Sequence, residues 1–554
     1  MVATTMLGER IGAISGSALL VDYVLTITVS IAASGDALFS FLPLAWHGLK
    51  LPVEIFLILF LTMINIRGVK ESILTLLPIF IVFLITHGIL IIGGILSHLP
   101  QFPEMAGRIQ GEFDTGLTTL GVGGMLLLFV QAYAMGGGTY TGIEAVSNGL
   151  PIMREPRVRT GKRTMVYMAV SLSCTAAGLI LCYLLLNVSL VEGKTMNAVL
   201  VEQFAGGGSL GQVFIILTLV SEGMLLIVGA QAGFVGGPRI LANMAADSWM
   251  PHRFSSLSER LTTRNGILLM GGAALVALLY TGGVIRHLVV MYSINVFLTF
   301  SMTTLGMCRF WIGNRHKHPD WKRRMSIHAL ALVMSLTIFL VIVVEKFGQG
   351  GWVTVVITAS VMLLCMWIKH HYRMVYAKLQ QLYASLTDLP PDPDANAGAI
   401  DASQPTAAVL VSGYGGLGLH TALKVSQTFP GHFRNFVFIS VGVVDSNVAK
   451  ADDGVKALEI KTREGLKQWV RQFKKLGVPS TYRMSLGTEV ISSLEQTCLE
   501  TAREFPHITF FAGQLVFERE RWYQAILHNQ TAYALQKRLQ LAGYTTVIIP
   551  ARVR

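Results

Sequence analysis

Ten apolar runs, each long enough to cross a bilayer, leave this chain little choice of fold. They lie at about 12–34, 51–68, 73–97, 119–148, 164–188, 210–243, 266–283, 286–308, 326–345 and 352–369. Roughly 20 apolar residues span the hydrocarbon core as a helix. A backbone in lipid must satisfy its hydrogen bonds internally, so each run is predicted to be helical. Only 14% of the residues are charged and 52% are hydrophobic, whereas a soluble chain is nearer to about a quarter charged. An α-helical polytopic membrane protein follows.

The loops between the runs set the orientation. One alternate set holds sixteen Lys and Arg residues, among them the cluster Arg154, Arg157, Arg159, Lys162 and Arg163. The opposite set holds five: Lys50, Arg108, Lys194, Arg286 and Lys346. Basic loops stay on the cytoplasmic side, which places both chain ends there. The net charge of +12 is thereby spent on topology, and no nucleic-acid partner is expected. Cys174, Cys182, Cys308, Cys365 and Cys498 lack ligand spacing, so neither a disulfide framework nor a metal site is expected. No nucleophile–base pair stands out, and neither an enzyme nor a resident cofactor is indicated.

Two stretches carry polar chemistry inside lipid. The first is Leu19-Leu-Val-Asp-Tyr-Val-Leu-Thr-Ile-Thr-Val-Ser30. A carboxylate at mid-helix costs about 2.5–3.5 kcal/mol on insertion scales, so Asp22 needs a cation, a proton or a partner. Asp22, Thr26 and Ser30 recur every four residues and form one polar stripe on a helix face, with Tyr23 beside it and Thr28 on another side. The second stretch is Ala134 to Gly149, where Gly136, Gly137 and Gly138 precede Thr139, Thr141 and Glu144. Each glycine costs a helix interior about 1 kcal/mol relative to alanine, so three in a row invite an opened helix. Opened helices near mid-membrane form substrate sites in secondary transporters. A packing seam between two continuous helices is the alternative use of the same glycines. Tyr292, six residues into its span, reads either as a surface anchor or as a site residue.

After about residue 372 the character changes. An amphipathic stretch to about 386 and the linker 388–398 lead into a domain of alternating apolar runs and helical patterns at 401–554. Strands are predicted at 407–411, 435–444, 508–511 and 545–549, with a weaker one at 481–484. Helices are predicted at 417–428, 455–476, 487–504 and 516–541. That alternation describes a doubly wound α/β domain. Gly413, Gly415, Gly416 and Gly418 follow its first strand in G-x-G-x-x-G order, a spacing that can cradle phosphate. Asp445, at the end of the next strand, is the nearest acidic candidate for a ribose contact, though further along than the usual ~20 residues.

The segments Leu-Val-Asp-Tyr-Val-Leu-Thr, Asn65-Ile-Arg-Gly-Val-Lys-Glu71, Tyr-Thr-Gly-Ile-Glu-Ala-Val-Ser-Asn-Gly, Pro238-Arg-Ile-Leu-Ala and Gly350-Gly-Trp-Val-Thr354 resemble the amino acid–polyamine–organocation superfamily. Within it they are most similar to the KimA/Kup-type proton-coupled potassium importers that carry a cytoplasmic tail. The resemblance implies an inverted-repeat bundle in a bacterial plasma (inner) membrane and a cation path lined by Asp22, Tyr23, Thr26, Ser30, Thr139, Thr141 and Tyr292. It leaves Glu144 between proton coupling and packing. For the tail it implies a universal-stress-like regulatory domain, either dimerising two copies or binding an adenine nucleotide or a cyclic dinucleotide. It also implies twelve spans. Ten spans with both ends inside match a chain without the first two helices, so this chain alone is expected to transport little or nothing. An amino acid or polyamine permease of the same fold is the alternative, and an inactive membrane-anchored sensor is a further one.

Overall fold

The computed structural model describes residues 2–68, 73–136, 146–147, 149–150, 153–258, 262–384, 398–445, 448, 453–517, 523–528 and 531–553. They fall into two compact units, Met1–Ile240 with Gly266–Leu363, and Leu241–Asn265 with Leu364–Arg554.

The helices before the tail are α1 (Val2–Leu7), α2 (Glu9–Phe39), α3 (Lys50–Arg67), α4 (Ile73–Ser97), α5 (Phe102–Gly136), α6 (Arg157–Leu185), α7 (Met196–Ala205), α8 (Ser209–Ala246), α9 (Arg264–Thr281), α10 (Ile285–Gly313), α11 (Trp321–Lys346) and α12 (Gly351–Ala384). Ten helices among the described residues are long and apolar enough to cross a membrane, as the apolar runs require. They are not equivalent. In α2 and in α10, 61% of the most apolar window is buried, against 6–39% in the other spans. These two pack on each other and form the interior of the first unit.

Two elements depart from the sequence reading. α5 begins at Phe102, well before the apolar run near 119, and is interrupted at Gly121, whose φ of 68° no side chain tolerates well. The segment before the break is polar, yet exposed Ile109, Phe113 and Leu117 recur at helical spacing along one face. A one-sided helix of this kind has no apolar run to betray it. α12, in turn, continues unbroken to Ala384, so the amphipathic stretch extends the last span.

The tail follows the predicted alternation: β1 (Thr406–Leu410), α13 (Gly416–Thr428), β2 (Asn435–Val443), α14 (Gly454–Lys475), β3 (Ser480–Gly487), α15 (Val490–Glu504), β4 (Ile508–Phe517), α16 (Gln524–Leu527), α17 (Thr531–Leu541) and β5 (Thr546–Val553). The sheet is wholly parallel in the order β3-β2-β1-β4-β5. Side-chain alternation builds two cores. Ala407, Val409, Phe436, Phe438 and Phe511 face α13 and α14 through Leu419, Val425, Leu466, Trp469 and Phe473. Ala408, Val437, Ile439 and Phe510 face α15 and α17 through Leu494, Cys498, Leu535 and Leu539. The helix expected over 516–541 is corrected: β4 runs on to Phe517 because it stays paired with β5 as far as Val553. Pro550 sits in β5, which is permitted because β5 is an edge strand.

Within the second unit, the inner end of α12 is bound by aromatic and imidazole contacts. His371 Nε2 lies 3.0 Å from His528 Nε2, Tyr372 donates to the Leu527 carbonyl at 2.6 Å, and the His252 ring lies 4.6 Å from that of Tyr372. Burial, then the neighbouring His371 and His252, pushes the His528 imidazole down to about 4. The folded state thus prefers neutral His528. Its contribution is complete above the ordinary value near 6.5 and is lost as pH falls toward 4. Thermal stability of the purified chain should therefore decline across that window, and His528→Phe should flatten the decline. Equal slopes in the two proteins would contradict this.

Candidate functional site in the membrane bundle

Helix α2 carries the polar stripe into the interior. Asp22 is 1% exposed, Tyr23 2% and Thr26 7%, while Ser30 is half-buried. The Thr26 hydroxyl donates to the Asp22 carbonyl at 2.9 Å, one helical turn back. On the next face, Thr28 donates to the Ala274 carbonyl of α9 at 3.2 Å and fixes the rotation of α2.

Glycines of α8 let that helix approach α2 closely. A methyl group on Gly236 would lie 2.8 Å from the Tyr23 hydroxyl oxygen, and one on Gly229 would lie 3.5 Å from Ser30 Oγ. Small residues at such a crossing are the usual way for membrane helices to gain dispersion contact. Here they also bring Tyr23 and Ser30 against α8. A reciprocal amide pair locks α8 to α3: Asn65 Nδ2 to Gln231 Oε1 at 2.9 Å and Gln231 Nε2 to Asn65 Oδ1 at 3.0 Å.

Tyr292 sits on α10, which packs against α2. It is 3% exposed, which does not suit a surface anchor. One turn on, Asn295 is fully buried and accepts from Thr358 of α12 at 2.8 Å. Its carbonyl accepts from Thr299. The two interior helices thus bring one carboxylate, three hydroxyl groups of the stripe and its neighbour, and the Tyr292 phenol into the centre of one unit. Oxygen donors and one negative charge suit a hard monovalent cation. Thr139, Thr141 and Glu144 lie outside the described residues. No group of three or more metal-ligating side chains occurs among the described residues.

Two acids gain weight from the structure. Glu222 of α8 accepts from Asn197 of α7 at 2.8 Å, and Asn197 in turn accepts from the Tyr183 hydroxyl of α6. Glu54 of α3 is 0% exposed. Glu54 is not among the residues the sequence singles out; it stands four residues after Lys50, near the start of α3. Gly35 and Gly283 make room for it, but they come from elements distant in the sequence.

In the tail, Gly413–Gly418 joins β1 to α13 at the point where the strand order reverses, between β1 and β4. This is the switch point at which open α/β sheets hold ligands. Gly418 is needed for packing, since a methyl there would lie 2.8 Å from Trp469 Cζ2. Trp469 Nε1 donates to the Gly413 carbonyl at 3.1 Å. Gly415 caps α13 with extended backbone, and Gly416 begins it. Asp445, just beyond β2, accepts from the Val448 amide at 2.9 Å.

Two comparisons with known proteins bear on the family of the chain. A family model described as amino acid permease matches residues 1–367. The potassium transporter KimA of Bacillus subtilis (strain 168) is 32% identical over 382 residues, 69% of this chain and 60% of that protein. The chain therefore spans about 60% of the length of the curated relative it matches.

Proposed function

The chain belongs to the amino acid permease family, and from that premise we propose that it is a secondary transporter for a small cation, K⁺ with proton coupling, in a bacterial plasma membrane. The observation that carries the reading is Asp22: a carboxylate 1% exposed on one of the two most interior helices. A fixed negative charge there lowers the cost of stripping water from a cation. It would repel the carboxylate of an amino acid seated beside it, which weighs against the permease alternative. The potassium relative supports the same choice. The basic loops orient the bundle with the 35–50 segment and the α9–α10 turn outside.

Equilibrium binding of radioactive rubidium to the purified chain tests the substrate class. Saturable binding displaced by K⁺, and not by neutral amino acids or polyamines, is expected. Displacement by an amino acid with no effect of K⁺ would transfer the assignment to the permease alternative.

A further inference from the structure

Glu54 has no task in the cation site, and its surroundings are unusual for an acid. Its side chain is fully buried. Gly35 of α2 closes on it from one side and Gly283 of the α9–α10 turn from another; a methyl group added at either would overlap the carboxyl group. Gly282 and Gly283 both adopt left-handed backbone, with φ of 61° and 72°, so the turn is shaped around glycine for conformation as well as for space. Neither carboxyl oxygen has a hydrogen-bond partner among the described residues. The charged groups facing it are Lys50 on its own helix and Asp36 on α2. Lys50 Nζ stands 3.7 Å from Glu54 Oε1 but is hydrogen-bonded to Asp36. The α9–α10 turn meets it at Gly283.

An ionised carboxylate in that clamp would be cut off from water with only Lys50, already bonded to Asp36, to offset its charge, a cost of several kcal/mol even after relaxation. A neutral acid fits the packing; a charged one fits only when the clamp is open to water. The clamp joins the outer end of α2, the start of α3 and the turn leading into α10. Gly35 lies five residues beyond Ser30 on the helix that carries the cation stripe, and Tyr292 follows the turn on α10. About 20 Å of helix separates Gly35 from Asp22, at 1.5 Å per residue. Parting the clamp therefore moves both interior helices of the site. A cavity of about 530 Å³ borders the same turn, lined by Tyr280, Thr281, Arg286 and His287, and gives water an approach from that side.

We propose that Glu54 is a proton-binding site operating the outer gate: a proton taken from external water onto its carboxylate permits α2, α3 and the α9–α10 turn to close over the loaded cation. The step transfers one proton and breaks no other bond. It deepens the transporter reading and rests on it. Ionised Glu54 holds the gate open, with Lys50 shared between two acids; neutral Glu54 lets it shut.

Two measurements on the full chain in lipid nanodiscs test this. Infrared difference spectra of Glu54→Gln against the unsubstituted protein near neutral pH should show loss of a protonated-carboxyl stretch. Loss of an ionised-carboxylate band instead overturns the proposal. Release of bound rubidium should slow as pH falls, by up to about tenfold per pH unit, the limit for a single proton-binding step. In Glu54→Gln release should be slow at every pH, and in Glu54→Asp the pH dependence should persist. An unchanged pH profile in Glu54→Gln overturns the gate. If the unsubstituted chain binds no rubidium, the transporter reading fails, while the infrared result still decides the state of Glu54.

Discussion

Asp22→Asn should abolish cation binding while leaving the bundle folded. The substitution keeps the size of the side chain and removes the only charge on the stripe of α2. Stripping one partner from a buried charge pair costs about 3–5 kcal/mol, which weakens binding by roughly 10²–10⁴-fold. The neutral amide is easier to bury than the carboxylate, so the melting temperature without cation should hold or rise. Rubidium affinity within tenfold of the unsubstituted chain would remove Asp22 from the site. A collapse of stability without cation would make it a structural acid.

Trp469→Ala should be the most damaging single change in the tail. The indole is fully buried, lies 5.0 Å from the ring of Phe438 in a stacked arrangement and 4.9 Å from that of Tyr414, and its Nε1 is bonded to Gly413. Truncating a buried tryptophan costs about 3–5 kcal/mol, against about 5–15 kcal/mol for a whole domain. The cavity would open beside Gly418, whose lack of a side chain admits the ring, so the glycine turn loses its support as well. The tail's unfolding transition within the full chain should fall by about 10–15 °C, read by the near-ultraviolet signal of its aromatic residues. A shift below about 3 °C would show that α14 is held by other contacts.

Much of this architecture was legible in the residues because lipid and the parallel sheet both demand long, unambiguous patterns. Each span needs its apolar run, and a central strand buried on both faces, such as Phe436–Val441, reads as a continuous one. The tail's helices at 416–428 and 454–475 fell where their periodicity placed them. Local pattern failed where a neighbour decides. Residues 512–517 remain strand only because β5 lies beside them, and the polar helix before Gly121 buries too little to leave a run. The stripe of Asp22, Thr26 and Ser30 was visible as spacing on one helix. Glu54 was not, because its meaning comes from two glycines brought to it by elements that begin far away in sequence. Likewise, nothing in the sequence says that α2 and α10, rather than any other pair, form the interior.

The most direct measurement is an experimental structure of the chain soaked in a rubidium or thallium salt, with the ion located by its anomalous signal. A single ion in contact with the Asp22 carboxylate, between α2 and α10, is the expected result. An ion bound elsewhere in the bundle, or none with Asp22 turned away from the interior, would contradict the account.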